Sequence, residues 1–102
     1  MQVKFTDKAI AHLERILDVH LEYSGELSAI KFGKLVDEKL KDLTRFPYTG
    51  FPEPLLAKRK KLFRATILKS HYKMIYYVED DVIWVAAFWD TRMNPDRLRR
   101  LI

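Results

Sequence analysis

The chain has 102 residues, no cysteine and a formal net charge of +5. That length suits one domain, residues 1–102, with a single hydrophobic core. The missing cysteines exclude disulfides and thiolate metal sites, and charges interrupt every apolar run, so secretion and membrane spanning are unsupported and a cytoplasmic protein is expected.

The first element is a short strand, with Val3 and Phe5 alternating with Gln2 and Lys4. Thr6 offers a hydroxyl cap and Asp7 a negative charge at the positive end of a helix dipole. From Asp7 to about Tyr23, Ile10, Leu13, Ile16, Leu17 and Leu21 recur at helical spacing. Ser24-Gly25 ends that helix. A second is predicted from Glu26 to about Arg45, with Ala29, Phe32, Val36, Leu40 and Leu43 as its apolar stripe. The short break makes an antiparallel helical hairpin. Phe46-Pro47 closes it, because a residue before proline is pushed out of the helical region.

Residues 47–61, PYTGFPEPLLAKRKK, form a long connection ending in four cations, Lys58, Arg59, Lys60 and Lys61. Loops of this length are often functional. A run of cations reads equally as a solvated tract and as a phosphate or acidic-partner contact.

Three strands follow within residues 62–92, broken at Ser70-His71 and Asp80-Asp81. Their Ile, Val, Tyr, Phe and Trp content suits a pleated surface. Two-residue loops at both breaks would fix the register and every side chain's face. One face then carries Phe63, Ala65, Ile67, Met74, Tyr76, Val78, Ile83, Val85, Ala87 and Trp89, without charge, and the helical hairpin covers it. The other carries Leu62, Arg64, Thr66, Leu68, Lys73, Ile75, Tyr77, Val82, Trp84, Ala86, Phe88, Asp90 and Arg92, with Arg64, Tyr77 and Trp84 in one cross-strand row and Lys73 opposite Phe88. Asn94-Pro95 starts a terminal helix, Asp96 to Ile102. The fold class is α+β: a short strand and a helical hairpin on one face of an antiparallel sheet with a three-strand meander, then a short helix.

Charge is unevenly placed. Residues 1–57 hold eight Lys/Arg against nine Asp/Glu, and residues 58–102 hold eleven against five. A basic sheet half points to a polyanionic partner: RNA, DNA or an acidic protein segment. The glycines Gly25, Gly33 and Gly50 are too far apart for a phosphate loop. His12, His20 and His71 lack metal-ligand spacing, and no Ser-His-Asp or Cys-His arrangement can be assembled. No metal or other cofactor is expected.

The order of elements, with Leu43-x-x-Phe46-Pro47-x-x-Gly50, Arg64-x8-Lys73-x-x-Tyr76 and Asp90-Thr91-Arg92-x-x-Pro95, resembles the RelE/ParE superfamily of toxins from type II toxin–antitoxin modules. The resemblance spans nearly the whole chain and implies a growth inhibitor neutralised, in a hetero-oligomer, by a cognate antitoxin. Some members cleave mRNA on the ribosome and others inhibit DNA gyrase. It also implies that Arg64, Lys73 and Arg92 would be catalytic if the chain were a nuclease. Thr66, however, stands where those nucleases carry a second lysine, and Leu98 where they carry a terminal tyrosine. Threonine cannot supply the charge and leucine can move no proton, so the ParE-like, gyrase-inhibiting branch is favoured. The alternatives are a RelE-like, metal-independent mRNA endoribonuclease and a non-toxic nucleic-acid-binding domain. Lys58–Lys61, Tyr77 and Trp84 are the expected partner or nucleic-acid contacts. From the residues alone, Arg92 also reads as a partner of Asp90, and Tyr77 and Trp84 as packing for the terminal helix.

Overall fold

The structure is a computed structural model that describes residues 1–69 and 71–102. Its elements are β1 (Gln2–Phe5), α1 (Asp7–Ser24), α2 (Glu26–Arg45), β2 (Phe51–Pro52), a 3-10 turn (Pro54–Leu56), β3 (Arg64–Lys69), β4 (Tyr72–Glu79), β5 (Val82–Asp90) and α3 (Pro95–Leu101). The strands form one sheet in the order β1-β5-β4-β3-β2. It is α+β as expected, but the sheet is mixed, because β1 runs parallel to β5. At the other edge the two residues of β2 pair with Ala65 and Arg64, a strand hidden from sequence by its brevity and its proline.

Local chemistry sets the helix limits. Thr6 is extended (φ −70°, ψ 158°) and its hydroxyl oxygen accepts the Ala9 N–H at 3.1 Å. Gly25, at φ 91°, is the single residue between α1 and α2. A side chain there would be strained, so glycine lets the chain reverse in one step.

β4 and β5 meet through Asp80 and Asp81, both at positive φ (52° and 60°), with Glu79 paired to Val82. That is the two-residue loop foreseen for this hairpin, in the conformation Asp tolerates better than most residues. At the other predicted turn, Lys69 pairs with Tyr72, and Ser70 lies outside the described residues.

Two β-bulges change the predicted faces. Ile67 pairs with Lys73 and Lys69 with Tyr72, so Leu68 is an extra residue in β3. Val85 pairs with Tyr76 and Ala87 with Ile75, so Ala86 is the extra residue in β5. A single inserted residue moves every side chain beyond it to the opposite face. Phe63, Ala65, Ala87 and Trp89, assigned to the hairpin face, therefore pack on the other one, and Leu68 and Phe88 pack under the helices. Arg64 pairs with Tyr76, and Lys73 with Trp89, which replaces the expected Arg64–Tyr77–Trp84 row and the Lys73–Phe88 pair.

The bulge in β5 is stabilised by α1. Beyond the end of β1, the Thr6 N–H bonds Val85 O at 3.0 Å and its hydroxyl donates to Ala86 O at 3.2 Å. The Phe88 N–H donates to His12 Nδ1 at 3.3 Å. Thr6, which caps the first helix, and His12 within it thus satisfy backbone groups that the ladder leaves open.

Consequently the sheet is covered on both faces. Phe32, Val36 and Leu43 of α2 pack over Met74, Tyr76, Ile83, Val85 and Phe88. Leu56 of the 3-10 turn and Leu98 of α3 pack with Phe63, Ala65, Ile75, Ala87 and Trp89. Burying Leu98 completely contributes about 1.5–3 kcal/mol, enough to hold so short a helix in place.

Candidate functional site

The Arg64 guanidinium faces the connection before β2. Its Nη1 donates to Tyr48 O at 3.1 Å and to Gly50 O at 2.9 Å, and it lies 5.3 Å from the Tyr48 ring centre. From the next strand, the Tyr76 hydroxyl donates to Pro47 O and accepts the Gly50 N–H, both at 2.9 Å. Burial pushes the Tyr76 phenol above its ordinary pKa, against smaller opposite effects of the Gly50 N–H and Arg64. Gly50 must be glycine: a Cβ there would lie 2.7 Å from the Tyr76 ring and 2.9 Å from Ala65 O. Arg64 and Tyr76 together pin residues 47–50 to the sheet.

Lys73 projects from the other face. Its Nζ lies 3.0 and 3.3 Å from the two carboxylate oxygens of Glu53 and 5.1 Å from the Phe51 ring centre. The Glu53 side chain has no exposed surface, whereas that of Lys73 retains 20%. A carboxylate taken out of water at this depth needs its partner. Sequence reading missed Glu53. The available signal was its isolation, since it is the sole acid between Asp42 and Glu79 and stands between two prolines.

Arg92 lies past the end of β5 and forks onto Asp90, with Nε to Oδ1 at 3.1 Å and Nη2 to Oδ2 at 2.9 Å. Hydrogen bonding to Arg92 holds the Asp90 carboxyl below its usual pKa. Arg92 remains 66% exposed, so this pair adds little stability. Arg64, Lys73 and Arg92, expected on one surface, are therefore not assembled there. Arg64 and Lys73 lie on opposite sides of the sheet, and each of the three cations is engaged by protein oxygens. Thr66 pairs with Met74 on the hairpin side, and Leu98 is fully buried.

The basic tract is likewise partly engaged. Arg59 donates to Arg99 O, and Lys61 to Glu79, while Lys58 and Lys60 are exposed. The Lys61 ammonium also lies 4.4 Å from the Tyr77 ring centre. Tyr77 stacks on Trp84 at 6.5 Å, and Lys4 lies 5.6 Å from the Trp84 ring. Since Lys4 pairs with Trp84 and Trp84 with Tyr77, the true cross-strand row is Lys4–Trp84–Tyr77, extended by Lys61. Phe88, expected beside it, is buried under the helices.

Residues 3–95 match the family model described as the ParE toxin of the type II toxin–antitoxin system, parDE. The chain belongs to the ParE toxin family. No curated protein sequence matches it. Among solved structures, it is similar to a chain described as the chromosomal ParDE TA system from P. aeruginosa, at 23% identity with a TM-score of 0.70. The match covers 88% of this chain and 95% of that one.

The toxin is thus the growth-inhibiting half of a two-protein module whose other half is a cognate antitoxin. Its exposed apolar side chains include Leu62 beside the basic tract, and Tyr77, Val82 and Trp84 keep part of their surface open. No described helix is long and apolar enough to cross a membrane.

Proposed function

We propose that the toxin acts by holding a protein target, DNA gyrase in the cytoplasm, rather than by cutting RNA. The observation that carries this reading is that Arg64 and Lys73 lie on opposite sides of the sheet, each held by protein oxygens. Metal-free RNA cleavage requires a base for the 2′-hydroxyl, free cations at the phosphate and an acid for the leaving oxygen. Arg64 instead binds loop carbonyls, Lys73 binds buried Glu53, and Arg92 binds Asp90. Where the RelE-like nucleases carry a further lysine stands Thr66, which brings no charge, and where they carry a terminal tyrosine stands the fully buried Leu98, which can move no proton.

In this reading the antitoxin forms a hetero-oligomer with the toxin through an acidic, amphipathic segment, disordered when alone, that folds against the sheet side bearing Tyr77, Trp84 and the basic tract. Mapping mRNA 5′ ends on translating ribosomes after induction tests the enzymatic side. No codon-phased cleavage should appear within the time that growth stops. Codon-phased cuts preceding arrest would assign the toxin to the ribosome-dependent nucleases instead.

A further inference from the structure

A cleft of about 250 Å³ opens beside the Lys4–Trp84–Tyr77–Lys61 row. Its lining is mostly apolar, with Phe63, Tyr77, Ala86, Leu101 and Ile102, and it includes Thr6 and the two lysines Lys8 and Lys61. Lys8 comes from the first turn of α1, Lys61 from the end of the basic tract, and Leu101 from the last turn of α3. Three separate parts of the chain thus converge on one small apolar hollow flanked by ammonium groups. The nearby acid is Glu79, which pairs with Lys61 at the surface, where such pairs are worth little and rearrange readily.

We propose that this cleft seats an apolar side chain of an acidic peptide, with carboxylates flanking that side chain on Lys8, Lys61 and Lys4, and that the antitoxin supplies the peptide. The last clause rests on the toxin–antitoxin reading above. Size supports a side chain over a cofactor, since small-molecule sites run from about 300 to 1,000 Å³. Charge selects the flanking residues, because Lys8 and Lys61 line the hollow, Lys4 stands one strand farther along the row over Trp84, and Glu79 offsets part of Lys61 alone. The row argues against nucleic acid. A base needs an open aromatic face, whereas here the two rings stack on each other and each carries an ammonium, Lys4 on Trp84 and Lys61 on Tyr77. A polypeptide needs no such face.

The test titrates the ¹⁵N-labelled full chain with the capped peptide Asp-Glu-Leu-Leu-Glu-Asp, followed by amide and indole shifts. Controls are the same peptide with serines for leucines, its Asn/Gln counterpart, and hexauridine. The protein variant is Lys8→Glu/Lys61→Gln, chosen because Lys8 and Lys61 are exposed and an acid suits the first turn of a helix. Shifts should cluster at Phe63, Tyr77, Ala86, Leu101 and the Trp84 indole. Affinity should fall about tenfold or more for each peptide control and for the variant, a loss equivalent to one charged or anchoring contact. Shifts that cluster elsewhere, an unaffected variant, or hexauridine binding the cleft more tightly would each overturn the proposal. The antitoxin is tested separately. Unchanged affinity of the antitoxin for Lys8→Glu/Lys61→Gln would remove the cleft as its seat and leave the toxin reading intact. If no antitoxin binds the wild-type chain while the peptide does, the toxin reading fails and the acidic-peptide site stands.

Discussion

Lys73 and Glu53 form an ion pair across the sheet's second face, with the ammonium 3.0 and 3.3 Å from the two oxygens of a carboxylate that has no exposed surface. The pair fastens the Pro-rich connection to β4, next to the Glu53 N–H bond to Phe63 O at 2.9 Å. Its chemistry is that of a structural clamp.

Lys73→Met should therefore destabilise the fold by about 3–5 kcal/mol, because it leaves the buried Glu53 carboxyl without its partner. The double change Glu53→Leu/Lys73→Met should recover most of that loss, since apolar groups of similar size often replace a buried pair at little cost. Urea unfolding of the three proteins checks this. A double variant no more stable than Lys73→Met would show that the pair is not the cause.

A second clamp lies on the hairpin side. Tyr76→Phe removes both hydroxyl hydrogen bonds to residues 47–50 and leaves the Gly50 N–H without that acceptor, at a cost of about 1–3 kcal/mol. Limited proteolysis should then cut near Tyr48 sooner than in the wild-type chain. Equal cleavage rates would mean that Arg64 alone holds the loop.

Acid should weaken the fold through His12 and His20. Burial lowers both pKa values below 6.5, with Arg15 and Lys8 adding to the effect on His12, and Lys69 and His71 on His20. The folded state therefore binds fewer protons than the unfolded one between the folded values and 6.5. Stability is full above 6.5 and falls as pH drops through that window. His12→Asn keeps an acceptor for the Phe88 N–H and cannot titrate. Unfolding free energies from pH 7.5 downward should show a shallower decline in this variant. An identical slope would place the effect elsewhere.

The helical hairpin was fully legible in the sequence, because Thr6, Gly25 and Phe46-Pro47 mark its limits by local chemistry alone. The β4–β5 turn was equally local. The faces of β3 and β5 were not. Leu68 and Ala86 are ordinary strand residues, and nothing in their identity announces a bulge. The bulge in β5 depends on Thr6 and His12, the former 80 positions away in the chain, so its cause is tertiary. The Leu68 bulge in β3 is what parted Arg64 from Lys73 across the sheet and left Lys61, rather than Arg64, beside Tyr77. The Arg92–Asp90 pair, two residues apart, was readable in advance.

Antitoxin association should respond to the exposed part of the basic tract. Lys58→Glu/Lys60→Glu should slow association about threefold to tenfold at low ionic strength and leave dissociation nearly unchanged, since charges at an interface rim act chiefly on encounter. Trp84→Ala should instead speed dissociation at every salt concentration. Stopped-flow measurements at two ionic strengths separate the two effects, and a salt-independent association rate for the wild-type chain would contradict this division.

The toxin is proposed to stop growth by engaging gyrase and not by cutting RNA. Supercoiling of relaxed plasmid by purified gyrase, with the toxin added alone and then with its antitoxin, measures this directly. Supercoiling should fall with added toxin and return when antitoxin is supplied in equal amount. Full supercoiling at a large excess of toxin that still arrests growth in cells would contradict the account.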